Sequence, residues 1–169
     1  MGKLPNLQVA IALIRDGFHA ESTGGRVVLR GDGSAELDYP VSAYLFDAAR
    51  RAYLAMAELQ FAAGARQVLP VHEDAVPLTS WSDAKDAIDR LPMRILAARL
   101  VSAHVMGGCA MGPDPRSSVV NESGRHHQLD NLSVHDGSLF PTSVGANPQL
   151  SIYAQAARLA SGLAASLKV

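Results

Sequence analysis

One cysteine, Cys109, stands in the whole sequence. An internal disulfide framework is therefore excluded, and the count is compatible with a reducing compartment. Charge of one sign is also lacking: 15 Lys and Arg against 16 Asp and Glu give a formal net charge of −1. That removes the electrostatic case for nucleic acid or an anionic membrane as a partner. Long apolar runs are missing too. The longest, such as "VAIALI" from Val9 to Ile14, fall far short of the roughly 20 residues of a membrane span, so no transmembrane segment is expected. The opening "MGKLPNLQ" has no charged segment followed by an apolar one. No signal peptide is expected, and the location stays open with the cytoplasm favoured. There is no internal repeat, low-complexity tract or linker.

What is present reads as globular. The 169 residues are 48% hydrophobic and 18% charged, enough for one ordinary domain with a buried core. "LQVAIALIR" at 7–15 and "GRVVLRGDG" at 25–33 read as strands. "DGFHAESTG" between them has turn signals at both ends, so an antiparallel pair is expected. The period then changes. Leu45, Ala49, Ala52, Met56, Leu59 and Ala63 recur at helical spacing, and Gly64 is placed to end that helix. "RQVLPV" is a candidate short strand with Pro70 at an edge. Ser82 is the candidate cap of "DAKDAIDRL", which stops near Pro92. "MRILAARLVSA" fits helix or strand. "NLSVHDGSLFP" reads as a short strand feeding a turn, and "NPQLSIYAQAARLASGLAASL" as a closing helix with Leu150, Ala154, Ala157 and Leu163 near one face. Strands and helices in blocks predict an α+β fold.

The chemistry concentrates in the second half. "HVMGGCAMGPDP" sets His104 before the glycine pair Gly107-Gly108 and Cys109. Such a run is too glycine-rich for a helix interior. Asn147-Pro148 opens the last helix with a good cap residue and a proline. A helix start carries unpaired N–H groups and about half a positive charge, which favours an anion or an electron-rich ring edge. "DGS" at 136–138 turns on a glycine, where backbone can come close to a ligand. Taken singly, each feature has a plain structural reading: a hydrogen-bonded histidine, a turn, a capped helix. Cys109 reads as a small buried thiol, because no third orienting group completes a nucleophilic set with His104. His126, His127 and His135 do not predict a metal site. Adjacent histidines point apart, and no thiol or carboxylate is spaced to complete a tetrahedron.

Together, "SAHVMGGCAMG", "SVVNESGR" and "NLSVHDGSLFPTSVGANPQLSIYAQAARLA" resemble the C-terminal signature of the glucose–methanol–choline (GMC) flavin oxidoreductases. The resemblance implies a histidine before a glycine turn, then Gly-Arg, then V-x-D-[GA]-S-x-[FL]-P, then Asn-Pro opening a helix. All of these occur in order over about 60 residues. Residues 7–100 fit the family's substrate-domain region only in outline. The implied roles fall residue by residue. His104 and Asn147 match the two active-site positions. Asp136, Gly137 and Ser138 match the turn that touches FAD. Pro148 and Gln149 begin the helix whose start points at the flavin ring.

The reaction so implied is oxidation of an alcohol, with hydride passing to flavin N5 and His104 accepting the hydroxyl proton. Neutral imidazole suits that task, while the Asn147 amide can hold the same oxygen but cannot titrate. The implied organisation is a substrate-binding region over 1–101, with an antiparallel sheet and packed helices. Residues 102–169 then carry the catalytic histidine motif and a C-terminal strand–turn–helix that completes the FAD (Rossmann-like) domain. The family's G-x-G-x-x-G turn is absent: "GGRVVLRGDGS" has neither that spacing nor a following helix. The chain is thus expected to be the catalytic and substrate half of an FAD-dependent CH–OH oxidoreductase, inactive without an FAD-binding half in cis or in trans. The alternative is a stand-alone binding or interaction module that kept the fold. The greasy composition favours an apolar alcohol over a sugar, and uncovered strand edges offer a route to self-association. Without a Gly-rich pyrophosphate turn, the purified 169-residue chain should be colourless. Stoichiometric flavin absorbance in that preparation would overturn the expectation.

Overall fold

The computed structural model describes residues 6–167. The architecture is α+β, in two compact units. One combines residues up to 14 with 41–101, and the other combines 15–40 with 102–169.

The first unit is built on two helices. Helix α1 spans Ala43–Ala62, and its N-cap Ser42 accepts from the Leu45 N–H at 3.2 Å. Its buried face is Ala49, Tyr53 and Ala57, set one turn apart. The face is therefore rotated from the expected one, and Leu59 is left exposed. Gly64 ends the helix as expected, with φ +91°, a left-handed conformation that glycine adopts without strain. Helix α2 spans Trp81–Arg90 and packs on α1. Its cap is Ser80 rather than Ser82. Ser80 is extended, and its hydroxyl accepts from the Asp83 N–H at 3.1 Å. Ser82 already lies inside the first turn, where its side chain cannot serve that donor.

Arg50 of α1 locks the two helices together. Its guanidinium donates to the carbonyls of Ile88 (2.7 Å), Asp89 (2.5 Å) and Leu91 (2.9 Å). A helix C-terminus leaves its last carbonyls short of donors; here the Ile88 carbonyl also accepts from the Leu91 N–H. Ala84 and Ile88 face α1 fully buried, with Val68, Leu78, Leu91 and Ala98 completing the core. "RQVLPV" contributes only an isolated bridge, Val68 to Leu78. "MRILAARLVSA" forms neither helix nor strand; it turns at 95–97 and bridges through Ala98 to His72. Buried His72 is satisfied as the neutral ring. Its Nε2 donates to the Pro92 carbonyl at 2.9 Å, and its Nδ1 accepts from the Asp74 N–H at 3.0 Å.

Residues 7–15 do not form the expected strand. Leu7, Val9, Ile11 and Leu13 alternate as a strand would, but all four are exposed. Strand pairing needs a second backbone to satisfy N–H and C=O, and no such partner occurs among the described residues. The segment at 25–33 finds a different one. Strand β1 (Arg26–Leu29) pairs antiparallel with β2 (Ala35–Asp38), with Arg26 opposite Asp38 and Leu29 opposite Ala35. The local turn decides this: Gly33 has φ +83°, and the Asp32 carboxylate accepts from the Ser34 N–H and hydroxyl. The strands are exposed on both faces. The pairs Arg26–Asp38 and Arg30–Glu36 lie in solvent and add little. Tyr39 donates to the Asp16 carboxylate, and burial together with that carboxylate pushes its phenol up to about 12.

The second unit has its own small core of Val120, Leu139 and Leu159, with Met111, Val119 and Val134 packed against it. Helix α3 spans Gln149–Ser166. Its buried face is centred on Leu159, with Ile152, Gln155, Ala156 and Leu163 half-buried. Of the expected face, Leu163 is on the buried side, while Leu150, Ala154 and Ala157 are on the exposed one. "NLSVHDG" makes a single bridge, Ser133 to Arg125, instead of a regular strand. The C-terminal element is accordingly a turn and helix without the expected strand. Arg50→Ala should lower stability by about 2 kcal/mol, the scale of charged hydrogen bonds lost from half-buried carbonyls. Arg50→Lys should restore part of that. Urea unfolding checks both, and an unchanged midpoint in Arg50→Ala would exclude the helix-locking role.

Candidate functional site

The glycine loop and the D-G-S turn meet through backbone. Gly107 and Gly108 have φ of +87° and +99°. A Cβ at Gly108 would meet nothing, and at Gly107 only ordinary contacts, so conformation rather than space requires glycine here. The loop then runs beside a 3₁₀ turn at Gly137–Leu139. The N–H groups of Gly107, Cys109 and Met111 donate to the carbonyls of Gly137 (3.3 Å), Ser138 (3.0 Å) and Leu139 (3.1 Å). Gly137 is buried, and here space does matter. A Cβ would meet Ile152 of α3 at 3.1 Å and the Val105 carbonyl at 3.3 Å. Loop, turn and helix thus close on one glycine.

Asp136 holds the turn. Its carboxylate accepts from the Ser138 N–H at 2.8 Å and the Ser138 hydroxyl at 2.5 Å. The hydroxyl first, and the N–H second, hold its pKa below the ordinary carboxylate value. A depressed folded-state pKa means that this support is present above the unfolded value and is lost as pH falls through the folded one.

His104 is exposed at the start of the loop, and Asn147 is exposed before α3. Among the described residues no hydrogen bond joins their side chains. Asn147 does not cap α3 as expected. Pro148 takes the cap position with near-helical angles, φ −87° and ψ −3°, and no side chain serves the first N–H groups. Buried Pro148 still accepts from the Ile152 N–H at 2.9 Å. The Gln149 amide donates to the Tyr153 hydroxyl one turn on, at 2.7 Å. The open helix start therefore offers backbone donors only.

Sequence reasoning missed the brace behind Asn147. A Cβ at Gly17, which is buried, would fall 2.0 Å from the Thr142 hydroxyl. At Gly145 it would fall 2.9 Å from the Arg15 side chain. Residues 15–17 thus pack directly against the loop at 142–145. "DG" at 16–17 signals a turn, but its distant neighbour leaves no trace in the sequence. His126 and His127 are half-buried rather than loose surface residues. The Ser118 hydroxyl lies 2.9 Å from His127 Nε2, 2.6 Å from the Asp114 carbonyl and 3.0 Å from that of Gly112. Its one proton goes to a carbonyl, so the imidazole donates, which is the opposite of nucleophile activation. Cys109 is half-buried and free. Among the described residues no group of three His, Cys, Asp or Glu is gathered as a metal site.

Comparison with known proteins completes the picture. The family profile described as GMC oxidoreductase matches residues 20–156. The chain belongs to the GMC oxidoreductase family. A long-chain-alcohol oxidase of Arabidopsis thaliana is 33% identical over 98 residues, which are 54% of this chain and 14% of that protein. The 6'''-hydroxyparomomycin C oxidase of Streptomyces lividus is 44% identical over 66 residues, 39% of this chain and 12% of the relative. A cholesterol oxidase of Acinetobacter baumannii is 44% identical over 57 residues, 34% and 10%. The chain spans about a fifth or less of the length of the curated relatives it matches. No helix among the described residues is long and apolar enough to cross a membrane.

Ser138→Ala should raise the Asp136 pKa towards the ordinary value of about 3.9. A carboxyl NMR titration reads this directly, and an unchanged titration would show that Ser138 is not the cause.

Proposed function

We propose that this chain supplies the catalytic and substrate-binding part of an FAD-dependent alcohol oxidoreductase. The observation that carries the reading is the backbone pairing of the His104 loop with the Asp136–Ser138 turn. It brings the first and last of the quoted signature segments together, and within the last Ile152 of α3 packs on Gly137. The assigned roles are His104 as proton acceptor and Asn147 as the second holder of the alcohol oxygen. Asp136, Gly137, Ser138, Pro148 and Gln149 are assigned to the cofactor.

The residues fit such a group. A flat ring needs close backbone approach, which the left-handed glycines at 107 and 108 and the buried Gly137 allow. A helix start without a side-chain cap favours an electron-rich ring edge. FAD, when bound, would accept hydride from the alcohol carbon. The exposed His104 imidazole takes the hydroxyl proton, and the Asn147 amide donates to the same oxygen without titrating. The substrate is an alcohol, and the composition favours an apolar one. Substrate contacts are assigned to residues up to 101, and completion of the flavin domain to 102–169. Exposed Leu7, Val9, Ile11 and Leu13, and exposed Leu150 and Tyr153 on α3, support a further segment covering these faces. We assign that role to an FAD-binding half, in cis or in trans, without which the chain is inactive.

In the enzyme assembled with that half, His104→Ala should slow single-turnover flavin reduction by roughly 10²–10⁴. Asn147→Ala should cost less, roughly tenfold or below, as one oriented hydrogen bond does. FAD content should hardly change in either. A His104→Ala enzyme that reduces flavin at the parent rate would sink the assignment.

A further inference from the structure

Arg125 and Arg158 of the second unit, like Arg15 over the Phe18 ring, stand outside the ion pairs. Among the described residues these join Arg26–Asp38, Arg30–Glu36, Arg51–Asp47, Arg94–Asp74 and Arg116–Asp114. Arg125 and Arg158 take no part. Instead both line one small cleft beside the second half of α3, together with the hydroxyl residues Ser123 and Ser166. Among the described residues no carboxylate lines it. None could come from α3 itself, since Gln149–Ser166 contains no Asp or Glu.

The two guanidiniums are already oriented. Arg125 donates to the Asp130 carbonyl at 3.3 Å and to the Ser166 hydroxyl at 2.8 Å. Arg158 donates to the Glu122 carbonyl at 3.1 Å and to the Gln155 side-chain oxygen at 3.4 Å. Every one of these acceptors is neutral, so neither guanidinium is ion-paired among the described residues. A guanidinium has five N–H donors, so about three on each remain unused. The negative end of α3 lies on the same side, but a helix terminus carries only about half a charge. Two cations over one cleft therefore favour a doubly charged anion. The cleft volume is about 150 Å³. That is the space of about five waters at roughly 30 Å³ each, room for one small oxyanion.

We propose that the Arg125–Arg158 cleft binds a phosphate-type oxyanion. The inference is independent of the alcohol-oxidising site. It predicts that the two guanidiniums and the Ser123 hydroxyl donate to the anion, with Gly162 leaving the entrance open. A Cβ at Gly162 would meet nothing within 4 Å. A side chain can therefore start there without a clash at its Cβ, and Gly162→Asp places a carboxylate on a residue that lines the cleft.

The test uses the 169-residue chain at fixed pH and ionic strength, with sodium chloride replaced stepwise by sodium phosphate. Amide NMR should show saturable shifts confined to residues near 122–126 and 158–166, with a matching rise in melting temperature. Gly162→Asp should weaken the phosphate response at least tenfold and raise the melting temperature in phosphate-free buffer. Gly162→Asn should keep the response. Arg158→Gln provides a second variant and should also weaken it about tenfold. Phenyl phosphate shifting the same amides would assign the site to phosphate monoesters, and a response to inorganic phosphate alone would assign it to the free ion. Shifts that chloride reproduces, or a Gly162→Asp chain with an unaltered response, would overturn the proposal.

Discussion

Three backbone hydrogen bonds hold the glycine loop of the second unit against its D-G-S turn. They run from Gly107, Cys109 and Met111 to Gly137, Ser138 and Leu139. Each joins segments about thirty residues apart, and none depends on a side chain. The consequences propagate in both directions. Leu139 is part of the small core with Val120 and Leu159, so the glycine loop inherits its position from that core. Gly137 sits beneath Ile152, so the start of α3 is placed by the same turn. The Asp136 carboxylate keeps the turn shut from its own end. A site on loops gains definition only when a packed scaffold holds those loops, and here the scaffold is three buried side chains and one buried glycine.

That core is small for the surface the unit presents. Helix α3 buries Leu159, while Leu150 and Tyr153 on its opposite side are exposed. An exposed apolar stripe opposite a buried one belongs to a helix with two apolar faces, and such a helix packs between layers. Residues 7–13 tell the same story in another geometry, with four large apolar side chains exposed at period two. Contiguous apolar surface of this kind marks interaction faces in water. The relatives that this chain matches are several times longer than it is.

The first unit has a different logic. Alanines at 57 and 84 sit in the core shared by α1 and α2, and Arg50 reaches the carbonyls at the end of α2. Core packing and the guanidinium reinforce each other. Bulkier residues at those alanines would push the helices apart and deprive the carbonyls of that donor. His72 shows the same economy, satisfied on both ring nitrogens without a charge.

By itself the sequence determined the α+β class, the extent of α1 with its stop at Gly64, and the family, because these rest on local periodicity, glycine conformation and ordered motifs. It also marked the loop at 104–112, the turn at 136–138 and the helix after Pro148. The partner of 25–33 was set by the local turn at 32–34, which the sequence contains but which the expected pairing with 7–15 passed over. A tight local turn brings Ala35–Asp38 alongside at once, whereas residues 7–15 need a partner that the described chain does not hold. Tertiary structure alone decided the faces. Leu150, Ala154 and Ala157 satisfy a helical period as well as Ile152, Ala156 and Leu159 do, and only the position of the core separates them. Contacts such as Gly17 on Thr142 or Arg50 on Leu91 join residues remote in sequence. A single chain carries no local signal for them, because they arise from packing rather than from propensity.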